Sequence, residues 1–196
     1  MYKPIISILG RPNVGKSTLF NRFVGRRQSI VSPIHGVTRD RIYGEFEWLS
    51  QKYSLIDTGG YIPKSNNVVD QQVNFQAEIA KESSDLILFM VDGKDNITSS
   101  DRLLSDIIKK SGKPYILIVN KIDVKKDENL NYEYYELGLG DPLYISAQEG
   151  RQVGLVLDSI NELLPPNLDE YYEKDKHISL AIIGMPNVGK SSLMNN

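Results

Sequence analysis

A glycine-rich segment near the N-terminus has the residue types and spacing of a phosphate-binding loop. The sequence GRPNVGKS fits the pattern G-x-x-x-x-G-K-S/T, and it lies between a predicted strand and a predicted helix. Gly10 and Gly15 permit backbone conformations that are closed to other residues, so the loop amides can turn inward around phosphate oxygens. Lys16 places a positive charge between two phosphates, and the Ser17 hydroxyl can ligate Mg²⁺. We therefore predict that a nucleotide contacts the whole loop: Gly10, Arg11, Pro12, Asn13, Val14, Gly15, Lys16 and Ser17.

A second motif, NKID, follows a buried apolar run and can select the base. Ligand loops of an open α/β sheet emerge where the parallel strands end. The Asp123 carboxylate can accept two hydrogen bonds from guanine, one from N1–H and one from the 2-amino group, whereas adenine would leave it unpaired. A site built on such pairing rejects the wrong base by about 10⁴-fold or more. The motif therefore predicts guanine and disfavours an ATP-using kinase.

The other residues of this motif have supporting roles. Asn120 can tie the base loop to the phosphate loop, and the stem of Lys121 can pack over the base. The tripeptide ISA ends the next predicted strand, and its backbone can reach guanine O6. The predicted base-binding residues are Asn120, Lys121, Ile122, Asp123, Ser146 and Ala147.

Two aspartates end predicted strands, and either can be the acidic partner of Mg²⁺. Asp57 begins DTGG, which has the form D-x-x-G, so that Gly60 can offer its backbone N–H to a γ-phosphate. We favour Asp57 for this reason, and we expect Asp92, which precedes a glycine, to cap a turn. Thr38 lies in a long segment without clear periodicity and can supply a second hydroxyl to the metal. The predicted metal ligands are Ser17, Thr38 and Asp57, and the remaining nucleotide contacts are Thr58, Gly59 and Gly60.

These groups predict hydrolysis by in-line attack of water on a γ-phosphate. In such reactions the protein mainly positions groups and stabilises charge. The predicted catalytic residues are Lys16, Thr38 and Gly60. Many enzymes of this kind orient the water with a glutamine directly after D-x-x-G, but this chain has Tyr61 there. Either other groups position the water or intrinsic hydrolysis is slow.

Alternating strands and helices must position these motifs. Apolar runs predict strands at 5–9, 85–93, 115–119 and 140–147, and a hairpin joins 42–48 to 52–57 through Ser50 and Gln51. Helical spacing predicts helices at 16–24, 71–84, 99–112 (with a serine N-cap and a Gly112 stop) and 152–164, and a surface helix at 131–136. This alternation predicts an α/β fold: a mostly parallel sheet with one antiparallel edge strand, flanked by helices.

The sequence also predicts a domain boundary. Residues 165–177 are polar and acidic and contain two prolines, as is typical of a linker. They separate a first domain, residues 1–164, from residues 178–196, which hold a strand and GMPNVGKS, a near copy of the first loop. We expect the chain to be a fragment with one whole domain and the start of a second. That start lacks its own D-x-x-G and NKxD, so we expect it to bind no nucleotide.

Composition narrows the remaining possibilities. The chain has 196 residues, a net charge of −2 and no cysteine. It therefore lacks the basic field of a dedicated nucleic-acid binder, and we expect no sequence-specific binding of nucleic acid. The longest apolar runs are far shorter than the roughly 20 residues that span a bilayer. We expect a cytoplasmic protein that does not bind membranes.

The set GRPNVGKS, Thr38, DTGG, NKID and SA resembles the GTPases related to Era and TrmE. The repetition of PNVGKS is similar to the Der (EngA) family of bacterial GTPases, which have two tandem G domains of the P-loop NTPase fold and a KH-like domain. The resemblance covers nearly the whole chain. It implies a switch protein that binds GTP, GDP and Mg²⁺, hydrolyses GTP, and acts with the large ribosomal subunit or its precursor during assembly.

The resemblance also implies a role for Asn13. In potassium-activated relatives, an asparagine at this position of the phosphate loop helps to hold K⁺ beside the phosphates, where the cation offsets developing charge. Asn13 is then a catalytic residue. The alternative is that Asn13 only braces the loop.

Two other functions stay open. One is a non-hydrolysing module that senses GTP or GDP, which the missing glutamine favours. The other is the G domain of a tRNA-modification GTPase, which shares most of the motifs but does not predict a second phosphate loop at Gly184.

Overall fold

The computed structural model describes residues 3–25, 42–58, 82–123 and 132–164. All of them belong to the first of the two units into which the chain divides, residues 1–166 and 167–196. The predicted domain boundaries stay predictions. Several other sequence predictions lie outside the described residues: Thr38, Gly59, Gly60, Tyr61, nearly all of the helix at 71–84, the linker at 165–177 and the second domain start at 178–196.

Strands and helices alternate along most of the described chain, as the sequence predicts. The strands are β1 (Ile5–Leu9), β2 (Ile42–Trp48), β3 (Gln51–Asp57), β4 (Leu86–Asp92), β5 (Tyr115–Asn120) and β6 (Leu143–Tyr144). The α-helices are α1 (Lys16–Val24), α2 (Ser99–Ser111) and α3 (Val153–Leu163), and a 3₁₀ helix spans Tyr132–Leu137. None of the helices in the described ranges has the length and apolar character needed to span a membrane.

The six strands form one sheet in the order β2-β3-β1-β4-β5-β6. β1 pairs in parallel with β3 and with β4, and the parallel pairing continues through β5 to β6. β2 runs antiparallel to β3 at one edge. The predicted fold class is therefore confirmed. Because β1, β3, β4 and β5 are parallel, their carboxyl ends and the loops that follow lie at the same edge of the sheet.

Strand β4 shows why these runs of residues form a buried sheet. All seven of its residues are buried, and successive side chains point to opposite faces. Ile87, Phe89 and Val91 join one core cluster, which also holds Leu104 and Ile108 of α2. A strand covered on both faces is typical of a parallel sheet, and its apolar run carries no period-2 alternation.

Helix α1 packs closely on the hairpin of β2 and β3. A Cβ atom on Gly44 of β2 would lie 2.7 Å from the ring of Phe20 and 2.3 Å from Val24. Any larger residue at this position would force the side chains of Phe20 and Val24 to shift. The ring of Phe46 on β2 also stacks on Tyr53 of β3, with 5.1 Å between ring centroids. The rings of Phe46 and of Phe23 on α1 are also 5.1 Å apart, so this packing holds the helix that follows the phosphate loop against the sheet.

The hairpin turn differs from the predicted one. Trp48 pairs with Gln51, so the turn residues are Leu49 and Ser50 rather than Ser50 and Gln51. Both have positive φ angles, 47° and 67°. Two such residues match the right-handed twist of the flanking strands, which determines the turn position more strongly than the preference of leucine for other conformations.

Three other elements also differ from the sequence prediction. Helix α2 is capped by Thr98 rather than by a serine, because Thr98 and Asp101 form a reciprocal capping box, while Gly112 ends the helix as predicted. The strand predicted over 140–147 shortens to Leu143–Tyr144. The surface helix predicted at 131–136 is a 3₁₀ helix that buries Tyr134.

Candidate functional site

The phosphate loop joins β1 to α1 at the carboxyl edge of the sheet, and its backbone requires glycine at two positions. Gly10 and Gly15 have φ angles of 149° and 100°. A Cβ atom on Gly10 would lie 2.2 Å from the Met90 carbonyl oxygen, and one on Gly15 would lie 2.3 Å from Asn120 Nδ2. Asn13 also has a positive φ angle, 66°, which asparagine tolerates better than most residues.

Lys16 lies inside this loop. Its side chain is buried, and Nζ donates hydrogen bonds to the carbonyl oxygens of Gly10 at 2.6 Å and Arg11 at 2.7 Å. Burial lowers the Lys16 pKa to about 8, although the nearby Asp57 carboxylate acts in the opposite direction. The loop therefore holds a desolvated cation, which an incoming phosphate would neutralise.

Two of the predicted metal ligands come together beside the loop. The Ser17 hydroxyl donates a hydrogen bond to Asp57 Oδ2 at 2.7 Å, and Asp57 is buried at the end of β3. A hydroxyl and a carboxylate at this separation fit the oxygen ligands that Mg²⁺ prefers. The third predicted ligand, Thr38, lies outside the described residues. The Thr58 hydroxyl donates to the Ile8 carbonyl oxygen and is buried, so this side chain bonds to the sheet.

Asn120 connects the phosphate loop with the base loops. Its buried side chain donates from Nδ2 to the Val14 carbonyl oxygen at 2.8 Å. Its Oδ1 accepts from the Ala147 backbone N–H, also at 2.8 Å. The first contact is the tie that the sequence predicts. In the second, the Ala147 amide bonds to Asn120, and Ala147 does not line the neighbouring cavity.

A cavity of about 100 Å³ lies next to this connection. Ile122 does not line it, because its side chain is buried in the core and its N–H donates to the Ile145 carbonyl oxygen. The residues that line the cavity are Gly15, Thr18, Lys94, Asn120, Lys121, Asp123, Ser146 and Gln148.

Both oxygens of the Asp123 carboxylate bind donors at this cavity. Oδ1 accepts from the Ser146 hydroxyl at 2.9 Å, and Oδ2 pairs with Lys94 Nζ at 2.5 Å. These hydrogen bonds, first from Lys94 and then from Ser146, hold the Asp123 pKa below its usual value. The carboxylate is therefore ionised and oriented as a hydrogen-bond acceptor, as reading guanine requires.

Asp92 has the predicted turn role and a second one. Oδ1 accepts from the Lys94 backbone N–H at 2.9 Å, as a turn cap does. Oδ2 pairs with Lys121 Nζ at 2.5 Å. Asp92 is buried, so this ion pair fixes the lysine that we expect to lie along the base.

Sequence reasoning missed two basic residues at this edge of the sheet. Arg22 of α1 donates to the carbonyl oxygens of Ala147, at 2.5 Å, and of Gln148, which fastens the loop after β6 to the helix after the phosphate loop. Lys94 pairs with Asp123 as described above. Neither residue belongs to a motif, and each contacts a residue distant in the chain, so no local signal indicates them. The guanidinium of Arg11 pairs with Asp95 at 2.9 Å, and the predicted nucleotide contact of Arg11 stays a prediction.

The comparisons with known proteins agree with this geometry. Residues 5–121 match the family model described as 50S ribosome-binding GTPase. The chain is 50% identical over 196 residues to the GTPase Der of Clostridium acetobutylicum, which covers 100% of this chain and 44% of that protein. It is 51% identical over 195 residues to the GTPase Der of Clostridium botulinum, with the same coverage. The chain thus spans less than half the length of these curated relatives.

Solved structures with a similar fold include two of Era. One is Era from Aquifex aeolicus bound to GDP·AlF₄⁻, with a TM-score of 0.66 and 31% identity, covering 84% of this chain and 58% of that chain. The other is Era in complex with MgGDPNP and a segment of 16S ribosomal RNA, with a TM-score of 0.66 and 30% identity, covering 94% of this chain and 61% of that chain.

The lowered pKa of Lys16 predicts a dependence of stability on pH. Between about pH 8 and pH 10.5 the unfolded chain keeps the Lys16 proton and the folded chain loses it, so the free energy of unfolding rises with pH in this window. Urea unfolding at pH 7, 8, 9 and 10 should show this rise in the wild type, by up to about 3 kcal/mol. The rise should be absent in Lys16→Met.

A matched control is Lys110→Met, which removes an exposed lysine from α2. It should retain the wild-type dependence. A wild-type profile indistinguishable from that of Lys16→Met would contradict the assignment of Lys16 as a desolvated cation.

Proposed function

Because the chain belongs to the family of 50S ribosome-binding GTPases, we propose that it binds GTP and GDP with Mg²⁺ and hydrolyses GTP to GDP and phosphate. The observation that carries the proposal is the double hydrogen bond of Asn120. It holds the Val14 carbonyl and the Ala147 amide 2.8 Å from opposite ends of one side chain. A phosphate-binding loop and a cavity with an ionised carboxylate thereby lie next to each other, and Gly15 of the loop lines that cavity.

Different residues of the site are proposed to bind the phosphates, the guanine base and Mg²⁺. The loop amides and Lys16 bind the β- and γ-phosphates, and the loss of the Lys16 hydrogen bonds to carbonyl oxygens is offset by charge-assisted bonds to phosphate. Asp123 accepts from guanine N1–H and the 2-amino group. Ser17 and Asp57 would hold Mg²⁺, which would neutralise charge on the phosphate oxygens. Thr38 and Gly60 are proposed to contact Mg²⁺ and the γ-phosphate, respectively.

For hydrolysis, water attacks the γ-phosphorus in line with the bond to the β–γ bridging oxygen. The bond from that oxygen to phosphorus breaks, and GDP leaves. Lys16 lies where it can stabilise the charge that develops on the phosphate oxygens. Tyr61 follows Gly60 in place of a glutamine, so we propose a slow intrinsic rate.

We further propose that the protein acts in the cytoplasm, with the large ribosomal subunit or its precursor. The support is the similarity to GTPase Der proteins and the family to which the chain belongs. Era, with a similar fold, has been solved with a segment of 16S ribosomal RNA. The net charge of −2 does not favour sequence-specific binding of nucleic acid by this chain.

A second candidate function is a sensor of guanine nucleotides that does not hydrolyse GTP. Tyr61 is the observation that favours it, because a phenol is a poor substitute for the amide that orients water in many GTPases. Release of phosphate from GTP distinguishes the two functions. A third candidate, a tRNA-modification GTPase, has less support because it does not account for the second GMPNVGKS loop.

The first prediction of this proposal concerns the base. Asp123→Ala should abolish the preference for GDP over ADP, which we expect to be about 10⁴-fold in the wild type. Titration calorimetry with each nucleotide in Mg²⁺ measures the preference. The matched control is Asp106→Ala, which removes another aspartate paired with a lysine, at 2.8 Å, on the surface of α2. A preference of about 10⁴-fold that survives in Asp123→Ala would refute the base assignment.

The second prediction concerns K⁺, whose proposed ligand is Asn13. Phosphate release from GTP should be faster in K⁺ than in Na⁺. The informative variant is Asn13→Gly, because glycine adopts the φ angle of 66° without strain and removes only the side-chain amide. If Asn13 holds K⁺, this variant should release phosphate at equal rates in both salts. A K⁺ stimulation that is retained in Asn13→Gly would assign Asn13 to bracing the loop.

A further inference from the structure

Lys94 is a basic residue at the base cavity that belongs to none of the nucleotide-binding motifs. It lies two residues after β4 and lines the cavity together with Asp123 and Ser146. Its backbone is held in place on two sides. Its N–H donates to Asp92 Oδ1 at 2.9 Å, and the preceding Gly93 donates to the Asn120 carbonyl oxygen at 2.7 Å. These two hydrogen bonds therefore fix the position of the Lys94 backbone beside the cavity.

The ion pair between Lys94 and Asp123 occupies one end of the base-reading carboxylate. Lys94 Nζ lies 2.5 Å from Oδ2, while the Ser146 hydroxyl lies 2.9 Å from Oδ1. The second lysine of the cavity, Lys121, pairs with Asp92 instead. Lys94 is thus the lysine that contacts Asp123 among the described residues.

The two ends of the carboxylate meet different groups of the base. This step rests on the proposed function and on the sequence prediction that guanine O6 faces the loop that contains Ser146. Oδ1, at the Ser146 end, then faces N1–H, and Oδ2, at the Lys94 end, faces the exocyclic 2-amino group. A carboxylate oxygen can accept two hydrogen bonds, so Oδ2 can bind Lys94 and guanine together.

Hypoxanthine differs from guanine only in lacking the 2-amino group. In a site without Lys94, this loss would leave Oδ2 without a donor, and an unpaired acceptor is costly. Here Lys94 remains as a donor. We propose that Lys94 widens the range of bases that this site accepts, so that inosine nucleotides bind as alternative ligands with a smaller loss of affinity than Asp123 alone would impose.

The test compares the affinities of GDP and IDP for the full chain. The ratio of the two dissociation constants is measured by titration calorimetry in Mg²⁺ at one salt concentration, because the pair is partly exposed and screened by salt. Lys94→Met keeps the length of the stem and removes the charge. It should raise the preference for GDP over IDP about fivefold, the size expected for loss of one exposed charged contact. Lys94→Arg should restore the wild-type ratio.

The matched control is Lys109→Met, which breaks the ion pair with Asp106 on α2 and lies outside the cavity. It should leave the ratio at the wild-type value. An unchanged ratio in Lys94→Met, with GDP still bound, would overturn the inference about Lys94 and leave the proposed function standing. A wild-type chain that binds neither GDP nor IDP would overturn both.

Discussion

The candidate site depends on one buried amide, the side chain of Asn120. Its two hydrogen bonds join the loop after β1 to the loop after β6, although Asn120 itself ends β5. The parallel sheet brings these loops to one edge, but it does not determine their spacing. Asn120 does, since each end of the amide has one partner at 2.8 Å. The requirement for glycine at position 15 follows from the same contact, because a Cβ atom there would lie 2.3 Å from the amide nitrogen.

The buried charge of Lys16 in the phosphate loop favours ligand binding at a cost to the stability of the folded chain. Lys16 is buried among carbonyl oxygens, and its pKa of about 8 shows that the folded chain disfavours the cation. A bound phosphate would relieve that cost. At the base cavity the charges are paired instead: Lys121 with Asp92 and Lys94 with Asp123. The phosphate loop and the base cavity thus have opposite electrostatic arrangements.

Local sequence patterns predicted the elements and motifs that depend on neighbouring residues. The apolar run of β4 indicates a strand that is covered on both faces. The spacing of the glycines in the phosphate loop indicates the backbone conformation of that loop. Patterns failed where a contact between distant residues decides the outcome. Arg22 bonds to a carbonyl 125 residues away, and Lys94 to a carboxylate 29 residues away, so neither has a local signature. The turn at Leu49 and Ser50 is determined by strand twist and register, which outweigh the local preference of leucine.

The most direct test of the central claim is amide hydrogen exchange of the chain without nucleotide. If Asn120 holds both loops, Asn120→Ala should increase exchange in residues 10–17 and in residues 145–150 together, by about tenfold or more, because both lose a stabilising hydrogen bond. The control Asn161→Ala removes an asparagine of α3 that accepts from Tyr53, and it should change neither loop. An increase confined to one loop, or no increase in either, would contradict the claim that one side chain holds the phosphate and base loops together.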